Sequence, residues 1–407
     1  MARVEPLKFL STGIGGYAWS IAQHLLTADA AAEPVIRLLA MCDPAPEKFP
    51  DRVALLESRG VRTYRSFEEM IEQENAEAVW LPIPIHLHRP FAEKALARGL
   101  HVVTEKPAAG CLQDVDAMIA ARDAAKRDVL VGFQDIYASQ TMPAKRALLD
   151  GAIGKITHGT VHASWPRDLK YYSRNQWAGA LRVKETWVLD SPLQNAISHY
   201  VNLALFLMGD APATSAAPTR VEAELYRVNK IENYDTCALK ITLTAGSTLT
   251  VFLTHASSDL VEPVVSLYGT HGRLLADNNR YVLTGEPPNV WEPDGRKHQH
   301  MVETICSHFR GEPHAGAVAT LDIARIHTMI TNAASEAAPI TVVGGDDALE
   351  LTQDRPAGMC AIRDVAKVMD RCIAQRKLPS QLGDVRWARP GGAMDLAGYQ
   401  IFKGPRA

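Results

Sequence analysis

Gly13, Gly15 and Ala18 form a G-x-G-x-x-A run that follows one apolar stretch and opens an amphipathic one. The first glycine permits a tight turn. The second lets the backbone approach a phosphate, and the alanine keeps the following helix close to its strand. A helix that starts there offers unpaired N–H groups and the positive end of its dipole to an anion. Asp43 stands about 25 residues further on, at the end of the next apolar run. A carboxylate in that place accepts from both ribose hydroxyls and repels a 2′-phosphate. No Arg directly follows Asp43. The chemistry implied is binding of a dinucleotide, NAD in preference to NADP, with Gly16 and Tyr17 of the same turn among the contacts.

A second chemical cluster lies between Trp165 and Trp177, in the stretch WPRDLKYYSRNQWAG. Aromatic faces stack on the C–H faces of sugar rings, while Arg and Tyr bond hydroxyls or an anionic substituent. Arg167, Tyr172, Arg174 and Trp177 are therefore candidate substrate contacts. The equal competitor is an aromatic-rich connection that packs over a sheet. Two His-x-His pairs, His86/His88 and His298/His300, lack a third ligand at the usual spacing, so no metal is expected.

The elements that must position these residues are legible as two textures. Up to about residue 134, short continuous apolar runs (LKFLSTG, VIRLLAMCD, AEAVWLPIP, HVVTEKP, DVLVGFQ) alternate with helical stretches. That pattern predicts parallel βαβ units with both sheet faces covered, a doubly wound α/β domain of the Rossmann type. From about 220 to 284, long strands follow one another with turn signals such as Ala245-Gly246-Ser247 between them. Consecutive strands predict a large, mostly antiparallel open sheet in an α+β domain. LQNAISHYVNLALFLMG reads as a helix, residues 298–337 as helical, and MCAIRDVAKVMDRCIAQRK as one more helix. The expected organisation is a dinucleotide domain over 1–135, a substrate domain over 136–343, and an extension over 344–407 that packs on the core.

Composition narrows the class. A net charge of −3 with no Lys/Arg run gives no nucleic-acid signature. No stretch of about 18 apolar residues predicts a membrane span, and the N-terminal run reads as a first strand. Six scattered cysteines without a CxxC point to a reducing compartment, hence a cytoplasmic protein. An apolar sheet face is seldom left in water, so a homo-oligomer, dimer or tetramer, is expected through the open face.

The stretch LPIPIHLHRPFAEKALARGLHVVTEKPAAG resembles the strand–helix–strand ending in Glu-Lys-Pro of the Gfo/Idh/MocA oxidoreductases, the glucose–fructose oxidoreductase and inositol dehydrogenase group. The resemblance extends to all but residues 344–407. It implies that Lys106, before a cis bond to Pro107, is aimed at the nicotinamide. It also implies that Pro84, His88 and Glu105 join the cofactor contacts. Asn195-Ala196-Ile197-Ser198-His199 resembles the family's second catalytic element, where many members carry Asp in place of Asn195. Spacing i, i+4 would put Asn195 and His199 on one helical face. The nearest carboxylate that compensates for the missing Asp is Asp190, which then also faces the substrate.

The activity implied is NAD-dependent oxidation or reduction of a ring hydroxyl on a sugar, glycoside or cyclic polyol. His199 would act as base and Lys106 would polarise the hydroxyl, or the two roles would be exchanged. One alternative is the glycoside hydrolysis by transient oxidation and elimination that some relatives perform with bound NAD. Another is a non-catalytic binding protein, against which the intact Lys106 and glycine turn speak.

Overall fold

The computed structural model describes residues 5–351 and 358–406 of the chain. It forms two compact units. The first comprises the chain up to Ala109 with Asp114–Ser139 and Asp294–Ala324. The second comprises Gly110–Gln113, Gln140–Pro293 and the chain from Arg325 onward.

In the first unit, β1 (Leu7–Thr12), α1 (Gly16–Asp29), β2 (Ile36–Cys42), α2 (Pro50–Ser58), β3 (Arg62–Tyr64), α3 (Phe67–Gln73), β4 (Ala78–Leu81), α4 (Ile85–Ala97), β5 (His101–Thr104), α5 (Leu112–Ala125) and β6 (Val129–Val131) alternate along the chain. The six strands are parallel in the order β3-β2-β1-β4-β5-β6. All four residues of β4 are buried, as a strand covered on both faces requires. The order reverses between β1 and β4, where a doubly wound sheet leaves a crevice for a ligand. β3 and α3 escape a reading of apolar runs because Arg62-Thr63-Tyr64 carries none. Their signal is local: Ser66 Oγ accepts from Glu69 N–H at 3.3 Å and caps α3.

The second unit holds α6 (Thr141–Leu149), β7 (Ile156–Ser164), α7 (Leu169–Ser173), a two-strand hairpin of β8 (Arg182–Val183) and β9 (Thr186–Trp187), and α8 (Ser198–Leu207). There follow β10 (Pro218–Arg227), β11 (Thr236–Leu243), β12 (Thr248–Thr254), β13 (Val261–Gly269), β14 (Arg273–Ala276), β15 (Tyr281–Leu283) and β16 (Asn289–Trp291). After α9 (Lys297–Phe309), which belongs to the first unit, come α10 (Leu321–Ala337), β17 (Ile340–Val342), β18 (Ala348–Leu351), β19 (Met359–Ile362), α11 (Val365–Gln375) and β20 (Gly392–Asp395). The large sheet runs β16-β15-β14-β13-β7-β12-β11-β10-β17, with β20 also on β10. Only β12–β7 and β10–β17 are parallel pairs. On one face Val161, Val221, Leu239, Val251, Val265 and Leu267 pack with Val201, Leu205, Ile330 and Ala334 from α8 and α10.

Three sequence expectations change. The substrate unit is not continuous from 136 to 343, because the chain rejoins the first unit at Asp294–Ala324. There Val131 N–H donates to Ala319 O at 2.8 Å, Thr320 bridges Leu130, and the Phe309 ring stacks on His101 at 4.6 Å. The stretch at 359–377 is a strand and then a helix. The apolar sheet face expected to await another subunit is covered in part by this chain's own C-terminal segment. Tyr226, Ala238 and Phe252 pack against Val365, Val368, Met369, Leu378 and Trp387. Buried Glu224 on the same face accepts from Ser380 N–H at 3.1 Å and from the Ser380 hydroxyl at 2.5 Å. The Gly/Pro-rich tail closes this cover at the sheet edge. A Cβ at Gly391 would lie 1.9 Å from Ala223 O, and one at Gly392 1.9 Å from Ala337 O. Only glycine lets β20 approach so closely.

Trp387 anchors the cover: its ring meets Tyr226 edge-on at 5.0 Å, and its indole N–H donates to Arg363 O at 3.1 Å. Trp387→Ala should therefore destabilise the protein by about 3–5 kcal/mol, the usual cost of removing a buried Trp. Denaturant unfolding of the variant beside the natural chain measures this. A loss below about 1 kcal/mol would show that the segment is not part of the core.

Candidate active site

The first unit builds its site at the crevice beside β1. Gly13 has φ +79°, and its N–H donates to Cys42 O at 2.7 Å. A Cβ on it would meet Ala18 Cβ at 2.6 Å, so turn and helix approach only because Gly13 has none. Asp43 fastens this turn. Its Oδ2 accepts from Ile14 N–H at 2.8 Å and its Oδ1 from Ala45 N–H at 2.9 Å. Arg52 donates to Ile14 O at 2.6 Å from the other side. α1 then begins with no side-chain cap and no acidic residue in its first turn, which leaves its first N–H groups and dipole for an anion.

A cavity of about 630 Å³ opens here, lined by Gly13, Gly15, Asp43, Arg65, Pro84 and Phe91 among others. Flat apolar walls, a carboxylate and a glycine turn at a helix start fit the adenosine and pyrophosphate of a dinucleotide. Arg65, which the sequence reading missed, follows unrecognised β3 and pairs with Glu47 at 2.9 Å. A Cβ at Gly15 would meet the Phe49 ring at 2.6 Å, so this glycine also makes room for a neighbour within the protein.

The Glu-Lys-Pro turn follows β5, and its Lys106–Pro107 peptide is cis. Glu105 is buried and accepts from Trp80 Nε1–H at 3.1 Å. Burial pushes its carboxyl up to about 7, against the pull of the Trp80 bond and of Lys106. Tyr17 is half exposed, but burial of its hydroxyl end and the neighbouring Glu105 raise its titration far above the usual phenol range. His88 is buried, with Nδ1 at 3.0 Å from Pro107 O and 3.2 Å from Ala108 O, and Nε2 at 2.8 Å from Ile83 O. The ring thus ties the turn before α4 to the turn that carries Lys106. Burial drives this imidazole towards neutrality, while the carbonyl bonds favour its charged form. His88 is a positioning residue in this arrangement, as its ring bonds only backbone carbonyls.

The second unit positions the remaining candidates. Ser191 Oγ accepts from Gln194 N–H at 3.1 Å and opens a wide π-type turn, Pro192–Ala196. α8 starts only at Ser198. Asn195 and His199 therefore do not share one regular helical face; the extra residue of the π turn breaks the i, i+4 register. Asp190 is buried, and its Oδ2 accepts from Gly179 N–H at 2.7 Å. Its Oδ1 accepts from Asn195 Nδ2 at 2.7 Å. The carboxylate thus orients the Asn195 amide, with Oδ1 as the acceptor end, and joins it to the aromatic loop.

That loop is held to the sheet. Trp165 N–H donates to Thr254 O and Arg167 N–H to His255 O, each at 3.0 Å. Asp168 caps α7 by accepting from Tyr171 N–H at 2.8 Å. Arg167 lies 4.7 Å and Arg174 3.5 Å from the Tyr171 ring centre, and Arg174 also lies 5.1 Å from that of Trp177. Burial raises the Tyr172 hydroxyl well above its ordinary range. His255, missed in the sequence, lies buried behind the loop and bonds Trp165 O at 2.8 Å. Burial and the Arg167 charge push it down to about 3. A histidine at a strand end gives no periodic signal by which to find it. So Gly13, Gly15, Gly16, Tyr17, Ala18, Asp43, Pro84, His88, Glu105 and Lys106 belong to the first unit. Arg167, Tyr172, Arg174, Trp177, Asp190, Asn195 and His199 belong to the second.

A doubly wound sheet with this turn and carboxylate, joined in one chain to a large open sheet, defines a dinucleotide-dependent oxidoreductase. Residues 8–133 match the model of the oxidoreductase family with an NAD-binding Rossmann fold, and residues 141–275 match the GFO/IDH/MocA C-terminal domain. The chain belongs to the Gfo/Idh/MocA family of NAD-binding oxidoreductases. It is 27% identical over 274 residues to D-apiose dehydrogenase of Paraburkholderia graminis, covering 62% of this chain and 67% of that protein. It is 25% identical over 281 residues to myo-inositol 2-dehydrogenase of Thermotoga maritima, covering 67% of this chain and 77% of that protein. Some other relatives, dTDP-sugar 3-reductases, match over less than half of their length. The solved WlbA dehydrogenase from Bordetella pertussis, in complex with NADH and UDP-GlcNAcA, shares the fold with a TM-score of 0.66 at 24% identity, over 80% of this chain and 94% of that one. No helix among the described residues is long and apolar enough to cross a membrane.

A carboxylate at the position of Asp43 would favour a free ribose 2′-hydroxyl over a 2′-phosphate. NAD should bind more tightly than NADP. Asp43→Ala should weaken NAD by about tenfold or more, as loss of charge-assisted bonds does, and should narrow the gap to NADP, since the carboxylate that repels a 2′-phosphate is gone. Calorimetric titration of both dinucleotides checks this; equal affinities in the natural chain would contradict it.

Proposed function

We propose that this protein oxidises, or in reverse reduces, a ring hydroxyl of a sugar or cyclic polyol. The observation that carries the reading is the loop around Tyr171, which holds flat rings and guanidinium groups and is tied at Gly179 to Asp190, the carboxylate that fixes the Asn195 amide. A sugar ring presents apolar C–H faces and a rim of hydroxyls, and needs both kinds of contact. Further support comes from relatives named for a sugar, apiose, and for a cyclic polyol, myo-inositol.

NAD, when bound, supplies the hydride acceptor. The chain's own residues do the rest. His199 takes the hydroxyl proton as general base, since an imidazole titrates close to neutral pH. Lys106 donates to the same oxygen and stabilises the developing alkoxide. Asn195 accepts from a neighbouring hydroxyl and orients the ring. Arg167, Tyr172, Arg174 and Trp177 grip it. Gly13, Gly15, Gly16, Tyr17, Ala18, Asp43, Pro84, His88 and Glu105 hold the cofactor or the turns around it.

Lys106→Ala and His199→Ala should each lower kcat at least about a hundredfold, the low end of general acid–base contributions, with little change in NAD affinity. A panel of aldoses, glycosides, sugar acids and inositols with NAD, followed by NADH absorbance, finds the substrate for this measurement. Turnover near that of the natural chain in either variant would remove that residue from the mechanism.

A further inference from the structure

The second unit holds a pair of cations that the protein does not itself neutralise. Arg167 and Arg174 lie against the same Tyr171 ring, and Arg167 also lies 5.7 Å from the Trp165 ring centre. Elsewhere on the chain Arg62, Arg89, Arg98 and Arg122 each pair with a carboxylate. Among the described residues neither Arg167 nor Arg174 has such a partner. Arg174 donates from Nη1 to Tyr171 O at 2.7 Å, and the Arg167 Nε–H is buried without an acceptor.

The nearby acids are already committed. Asp190 accepts from Gly179 N–H and Asn195 Nδ2. Asp235 accepts from Val228 N–H, Asn229 N–H and Asn229 Nδ2. Asp168 caps α7. The imidazole of His255 does not supply an anion either; burial first, then the two guanidinium charges, hold it in its neutral form. Solvent reaches Arg174 and accounts for its charge, but a buried donor of Arg167 left without an acceptor is a cost that folding alone does not explain. Two like charges with forked N–H donors against one aromatic ring make a receptor for a small planar or tetrahedral oxyanion.

We infer that Arg167 and Arg174 seat an anionic substituent of the substrate, a carboxylate or a phosphate, so that the preferred substrate is an acidic or phosphorylated sugar and not a neutral one. This deepens the reading above and rests on it. Tyr171 holds the two forks in place by its ring, and Trp177 extends the same surface.

The test compares D-glucose, D-glucuronate and D-glucose 6-phosphate in two ways. One is NAD reduction; the other is calorimetric binding to the NADH-loaded protein. The natural chain should prefer one anionic sugar over glucose by about tenfold or more, the value of a charge-assisted bond pair. Which of the two is preferred assigns the carboxylate or the phosphate. In Arg167→Gln and Arg174→Gln the ratio of anionic to neutral affinity should fall towards one. Arg167→Lys, which keeps charge but loses the fork, should fall in between. Retained NADH binding certifies that each variant is folded. An anionic-to-neutral ratio near one in the natural chain, or a preference that survives both Gln variants, overturns the inference even where neutral sugars are oxidised. If no sugar on a wide panel reduces NAD, the proposed function fails, and the binding ratio still decides the anion seat.

Discussion

A carboxylate withdrawn from water must find hydrogen-bond donors inside the protein, and Asp43 and Asp190 meet that demand in the turns that carry the candidate chemistry. Asp43 spans Ile14 N–H and Ala45 N–H, which holds the glycine turn against the end of β2. Asp190 spans Gly179 N–H and the Asn195 amide, which joins the aromatic loop to the turn before α8. Neither acid is replaceable by an apolar residue without orphaning one buried and one part-buried donor. Each unit therefore has one anion that converts a requirement of folding into the placement of a functional group.

The same economy appears at lower stakes around Lys106. Its neighbour Glu105 has Trp80 as a donor, and His88 laces the turn through backbone carbonyls. The turn is thus braced on both sides by groups that are themselves buried. In the second unit the C-terminal segment contributes cover: α11 and Trp387 bury one face of β10–β12, and Ser380 satisfies the buried Glu224. An open sheet in this family architecture here spends part of its outer face on its own chain.

Much of this was legible in residues. The continuous apolar runs marked five of the six parallel strands, and Gly13-x-Gly15 with Asp43 marked residues that line one cavity beside β1. The failures share a physical cause: they concern short or non-local features without periodicity. Arg62-Thr63-Tyr64 pairs as β3 although no apolar run announces it, and Arg65 was lost with it. Pro192 and Ser191 start a π turn whose extra residue cannot be seen in a helical apolar pattern, so the Asn195–His199 spacing misled. The return of Asp294–Ala324 to the first unit depends on Ala319 and Thr320 completing β6, a pairing nearly 190 residues distant in the chain. The tail around Gly391 and Gly392 had a meaning only once the carbonyls of Ala223 and Ala337 were placed beside it.

The reaction proposed for this protein removes hydrogen directly from a ring carbon of a sugar. It is tested most directly with sugars deuterated at every ring carbon, supplied with NAD, the reduced dinucleotide then being weighed by mass spectrometry. The NADH should be one mass unit heavier than that formed from unlabelled sugar, with a primary isotope effect on its formation when the chemical step limits turnover. NADH formed without deuterium, or oxidation confined to linear hydroxy acids, would contradict it.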